Sequence, residues 1–134
     1  MEIHKNSDNE IAYVIGNEYD RQGYLIYHGG YCNGKFSGEG IMFNPDQSYD
    51  KGVFRNGKRE GVFQTIIDGN RLIREAEYHD DQLNGKYTEF YNSFGADGKP
   101  LIKSIYEYRS GRRVKGVEYD GNGNVIFEET FERF

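Results

Sequence analysis

The chain has 134 residues, enough for one domain with a modest core, and its 12 Tyr and 9 Phe argue against disorder despite 29% charged residues. A net charge of −5 argues against nucleic acid or an anionic membrane as the main partner and permits a basic one. The single cysteine, Cys32, excludes an intramolecular disulfide and suggests a reducing compartment.

The first ten residues, MEIHKNSDNE, contain no apolar segment of the kind that opens a secretory signal, and no apolar run approaches membrane-spanning length. A cytoplasmic protein is expected. From Tyr13 onward the chain repeats itself. An aromatic residue is followed seven positions later by glycine: Tyr31 by Gly38, Phe54 by Gly61, and Tyr78 by Gly85. Tyr108 leads to Gly116 with one residue added, and Phe131 is a fifth anchor. The anchors divide a single domain, 1–134, into about five units: roughly 13–30, 31–53, 54–77, 78–107 and 108–131.

Between the anchors runs a second recurring piece: DRQGYLIYHGGY, DGNRLIREAEY, DGKPLIKSIYEY and GNGNVIFEETF, with PDQSYDKGVF a shortened form. Each has a turn rich in Asp, Gly and Asn, two apolar residues, and an alternating run that ends on the anchor. The unit therefore reads turn, strand, turn, strand, and the chain reads as an all-β meander. No helical apolar period survives the glycines. The longer spacing between Tyr78 and Tyr108 implies an extended loop or hairpin at NSFGADGKP, and the final FEETFERF fits a short helix or a strand.

Two stretches, beginning at Gly29 and Gly52, spell most of a phosphate-binding loop, G-x-x-x-x-G-K. That site needs a hydroxyl after the lysine and a following helix; Phe36 and Arg59 stand there instead, and strand-like sequence follows. Asn33-Gly34 and Asn56-Gly57 are better read as type I′ hairpin turns. DGNGNV places Asp120, Asn122 and Asn124 as in a calcium loop but lacks its glycine and terminal glutamate, so it too reads as a turn. His4, His28 and His79 lie in different units without metal-ligand spacing, and Cys32 has no evident base. No catalytic, metal or cofactor site is expected.

Tyr27-x-Gly29, Asn33-Gly34-Lys35 and Gly38-x-Gly40 resemble the MORN repeat, and Tyr49, Gly52, Asn56-Gly57-Lys58 and Gly61 match again, with Phe63 where the last glycine would be. The later units look more like a bacterial variant of it. The resemblance implies an elongated, twisted, single-layer antiparallel sheet of successive hairpins, in which small residues let neighbouring rings lie across the sheet. It also implies a non-enzymatic role: scaffold, dimerisation element, lipid-associated module or, for the bacterial variant, an immunity or antitoxin protein.

Residues two apart on a strand share a face. Tyr27, Gly29, Tyr31, Leu72, Arg74, Ala76, Tyr78, Ile102, Ser104, Tyr106, Tyr108, Val125, Phe127, Glu129 and Phe131 then lie on an aromatic face. Glu75, Glu77, Lys103, Ile105, Glu107, Ile126 and Glu128 lie on the other. Stacked in register, Glu75, Glu77, Glu107 and Glu128 would form an acidic ladder, which reads either as a solvated face or as a docking surface for a basic protein such as a toxin domain. Tyr27 and Tyr106 are expected as further contact residues. Arg109, Arg112, Arg113 and Lys115 read as a solvated hairpin tip, with an anion or acidic-lipid contact as the alternative. Phe127, Phe131 and Phe134 suggest self-association through the terminal repeats, which a soluble array keeps polar.

Overall fold

A computed structural model describes residues 3–5, 7 and 11–131. Eleven strands form one open antiparallel sheet in which spatial order follows chain order. They are β1 (Ile3–Lys5), β2 (Ile11–Tyr19), β3 (Leu25–Cys32), β4 (Lys35–Phe43), β5 (Tyr49–Arg55), β6 (Lys58–Ile67), β7 (Arg71–His79), β8 (Gln82–Phe94), β9 (Pro100–Arg109), β10 (Arg112–Tyr119) and β11 (Val125–Thr130). No helix occurs among the described residues. The long spacing before Tyr108 becomes a hairpin: β8 extends to 13 residues and turns at Gly95–Lys99. FEETFERF supplies strand, and Phe134 and the His4 side chain fall outside what is described.

Two kinds of turn predominate at the two ends of the strands, with the β6–β7 turn an exception, since Asp68 and Gly69 have φ of 54° and 87° at the end opposite the Asn-Gly tips. One end carries two-residue turns at Asn33-Gly34, Asn56-Gly57, Asp80-Asp81 and Ser110-Gly111. Their first residues have φ of 53°, 52°, 49° and 48°, and their second 77°, 81°, 70° and 83°. Positive φ at both positions is the type I′ signature, whose twist matches that of the flanking strands. The pair Asn84-Gly85, in contrast, lies inside β8, where the Asn84 side-chain oxygen accepts the Ser110 amide at 3.0 Å. At the other end, Asp20, Asn44, Gly95 and Asp120 each donate a backbone amide to the carbonyl four residues on, at 2.9 Å. The Asp20 and Asp120 carboxylates also accept amides within their own loops, which makes DGNGNV a hairpin turn.

The turns also bind the units together. The Gly57 amide donates to the Phe36 carbonyl at 2.9 Å, Asp81 to Arg59 at 3.0 Å, Gly111 to Leu83 at 2.8 Å, and Phe131 to Val114 at 2.7 Å. Each accepting strand carries a register slip close by, and in three of the hairpins its glycine, Gly38, Gly61 or Gly85, has φ of 77°, 83° or 115°. The recurring glycine is thus a bulge residue. In β10 the slip passes through Val114 instead, which accounts for the added residue before Gly116. Gly57→Ala should keep its amide bond but hold a methyl side chain at positive φ, at a cost of about 1–2 kcal/mol read by chemical denaturation.

The core is small and one layer deep. Tyr27, Phe54 and Phe63 are its buried centre, and Tyr31, Phe36, Met42 and Tyr78 pack around it. Tyr27 stacks on Phe36 at 3.7 Å and meets Phe54 edge-on at 5.5 Å; Phe54 meets Phe63 at 5.2 Å, and Phe63 meets Tyr78 at 5.5 Å. Glycines make room for these rings. A Cβ on Gly52 would lie 2.5 Å from Phe63 Cδ1, and one on Gly116 2.7 Å from Tyr106 Cδ1. Substantial contacts join only strands adjacent in sequence, so each repeat leans on its neighbours rather than on a central core.

Candidate functional site

Along the later repeats of the aromatic face, cations replace the buried rings as packing partners. The Arg59 guanidinium lies 4.1 Å from the Tyr78 ring centre and Arg113 lies 4.6 Å from Tyr106, while Arg74 lies 5.5 Å from Tyr87. These are cation–π distances. Arg59 also bonds Asp81 at 2.6 Å, and Arg113 approaches Glu129 at 2.8 Å. Beyond them a cavity of about 250 Å3 opens between Tyr91, Tyr106, Glu89 and Glu118. The Tyr106 hydroxyl donates to Glu118 at 2.8 Å, and the Tyr91 hydroxyl to the Tyr119 carbonyl at 2.6 Å.

On the opposite face of the early repeats lies a larger open groove, about 630 Å3. Its apolar lining comes from Ile15, Ile41, Val53 and Val62, with Glu39 and Lys51 adding charge of both signs. Gly29, Gly40 and Gly52 also line it, because they carry no side chain and their other side is covered by Tyr27 and Phe63. Val53 and Val62 remain 47% and 51% exposed, with no second layer over them.

Tyr27 is no contact residue: it is 0% exposed, and its hydroxyl donates to the Gly30 carbonyl at 2.9 Å. Tyr106 is half-buried, with its ring on Gly116 and its hydroxyl committed to Glu118. Glu75, Glu77, Glu107 and Glu128 do share the face opposite the rings, but not as an unbroken ladder. Lys86 pairs with Glu107, and Glu107 with Lys115, so the row runs with alternating sign. The Glu77 carboxylate tucks over Gly85 and accepts the Lys86 amide at 3.2 Å. Glu75 pairs with Gln64 and Thr88, and Glu128 with Val117, in a different row. A ladder counted on one strand of each unit omits the return strands, and these bring the lysines.

Lys103 and Ile126 also change sides, since both line the cavity beside Tyr106 and Glu118. Register slips cause this, one between Glu89 and Phe90, the other between Glu118 and Tyr119. Each slip breaks strict alternation and turns a side chain to the other face. The basic tip is divided too, since Arg113 packs on Tyr106 while Lys115 pairs opposite Glu107. Glu89, Tyr91 and Glu118 carry no sequence signal, because no motif links residues that distant.

Among the described residues, no group of three or more His, Cys, Asp and Glu is placed to hold a metal ion, and no helix is long and apolar enough to cross a membrane. Several carboxylates instead serve the fold. Glu60 is held below its ordinary value first by the Asp80 amide and then by His79, whose Nδ1 lies 2.7 Å away. Asp120 is held down by the Asn124 and Asn122 amides. A pKa lowered by folding means stability that is present above the unfolded value and lost as pH falls through the folded one. The melting temperature should therefore hold steady down to the ordinary carboxylate range, 4.5 for Glu60 and 3.8 for Asp120, and drop below it. Thermal melts across pH 7 to 2 check this, and Glu60→Gln should flatten the acid limb.

These features define the class: an all-β protein of stacked hairpin repeats whose two faces are largely open. No family model matches the sequence. Alsin from Mus musculus is 30% identical over 94 residues, which covers 70% of this chain but 5% of Alsin. The chain thus spans a small part of that relative.

Proposed function

We propose that this is a MORN-type repeat protein that performs no catalysis and works by covering a partner protein. The observation that carries this reading is the groove of about 630 Å3 on the face opposite the rings, with Val53 and Val62 open to solvent at its wall. A single-layer sheet spends its rings on one face and leaves the other to be covered. The net charge of −5 favours a basic partner. In its most concrete form the protein is a bacterial immunity or antitoxin protein that occludes a cognate toxin domain.

The test is calorimetry with the product of the neighbouring gene. Val53→Glu or Val62→Glu, both at exposed positions, should weaken binding at least about tenfold while leaving the melt unchanged. Charge reversal at Glu75, Glu77 and Glu107 should slow association in low salt. Absence of binding, or binding indifferent to both sets of changes, would refute the proposal.

A second reading has one observation behind it. Val125, Ile126, Phe127 and Phe131 are 51%, 62%, 45% and 54% exposed on or beside β11, the last strand of the sheet. An apolar edge strand is a template for pairing with a second copy. Light scattering after gel filtration decides: a monomer at all concentrations eliminates self-association.

A further inference from the structure

We propose that the smaller cavity on the aromatic face receives an arginine side chain of the partner protein. This inference rests on the partner-binding reading and adds to it a separate anchoring contact, on the face opposite the large groove. The cavity, about 250 Å3, has Tyr91 and Tyr106 as aromatic walls and the Glu89 and Glu118 carboxylates as charged ones.

The sheet itself indicates the occupant. Tyr78, Tyr87 and Tyr106 each have a guanidinium of this chain at 4.1, 5.5 or 4.6 Å from the ring centre. Among the described residues Tyr91 has none. The one cation over its ring among them is the Lys103 ammonium, 6.0 Å away, at the outer limit of a cation–π contact. The arrangement thus recurs here without its arginine.

The carboxylates agree. Arg74 faces Glu89 across the β7–β8 pairing but turns its guanidinium over Tyr87, and Glu89 has no hydrogen bond or ion pair among the described residues. Glu118 accepts the Tyr106 hydroxyl through Oε2. Two carboxylates against one exposed lysine leave the cavity net negative. A guanidinium can lie flat on Tyr91 and donate in its plane to both carboxylates, whereas an ammonium is a compact, strongly hydrated charge without that geometry. Lys103, exposed on a flexible stem, can swing to solvent.

The test is an NMR titration of the labelled full chain with Nα-acetyl-arginine methylamide, and separately with the lysine analogue, at matched ionic strength. Arginine should give saturable shifts at Tyr91, Ser104 and Glu118, with lysine several-fold weaker. Glu89→Gln should weaken arginine binding about threefold, and Glu89→Gln with Glu118→Gln about tenfold. The side-chain amide introduced by Glu118→Gln still offers an oxygen to the Tyr106 hydroxyl, and Glu89→Gln breaks no bond in the fold, so neither change endangers folding. No saturable shift, equal response to lysine, or undiminished affinity in the variants overturns the proposal. Saturable arginine binding stands even if no partner is captured; a partner captured equally by wild type and the double variant rejects the anchor and leaves the partner reading intact.

Discussion

Tyr27→Ala should cost about 3–5 kcal/mol, the usual penalty for deleting a large buried ring, out of a total stability of about 5–15 kcal/mol. Tyr27 is the side chain most completely removed from solvent, and it stacks on Phe36, meets Phe54 and covers Gly29 and Gly40. Because strands lean only on their sequence neighbours, the damage should stay local. Amide hydrogen exchange should lose protection first in β2–β5 and later in β8–β10. Uniform loss across the sheet would mean a single cooperative core. Tyr27→Phe removes only the bond to the Gly30 carbonyl and should cost about 1 kcal/mol. Burial pushes the Tyr27 phenol up to about 12, from 10.0. Its raised pKa stabilises the fold fully below pH 10.0, and that contribution disappears as pH rises through about 12. The phenylalanine variant should lack this part of the alkaline sensitivity.

Gly30→Ala should be nearly as damaging, although it adds one methyl group. A Cβ there would overlap the Ser37 carbonyl oxygen and lie 3.1 Å from both the Ser37 carbonyl carbon and Tyr13 Cδ2. Backbone from the next strand cannot step aside as the end of a flexible side chain can, so β3 and β4 must separate. A cost of about 3 kcal/mol is expected, near 10 °C in melting temperature for a domain of this size. Gly121→Ala is the control: no atom lies within 4 Å of its Cβ position, and its φ is not positive. It should stay within about 0.5 kcal/mol of wild type. Equal effects at the two positions would show that the glycines serve flexibility rather than close approach.

Much of the architecture was legible in the residues, for a local reason. Asn-Gly demands positive φ at two successive positions, and few other pairs tolerate it, so the tips at residues 33–34 and 56–57 announce themselves. Asp80-Asp81 makes the same turn with residues that do not announce it, while Ser110-Gly111 lies within the hairpin tip read from Arg109, Arg112, Arg113 and Lys115. In three of the units the spacing from aromatic to glycine likewise reflects one device, a bulge glycine with positive φ. The candidate site was less legible. Alternation correctly put Tyr27 among the rings, yet the flat lie of its ring over two glycines, which buries it wholly, depends on the neighbouring strand.

Turn chemistry, strand periodicity and the repeat are properties of residues close together in the chain, and these alone make the protein an open meander of hairpins. Which charges meet is a different matter, because it depends on register between strands. One slip beside Glu89 and another beside Glu118 carry Lys103 and Ile126 to the aromatic face, and the return strands set Lys86 and Lys115 beside Glu107. A one-residue shift reverses a side chain's face at almost no local cost, so nothing in the local sequence records it. The groove beneath Val53 and the cavity beside Tyr91 exist only once those registers are set.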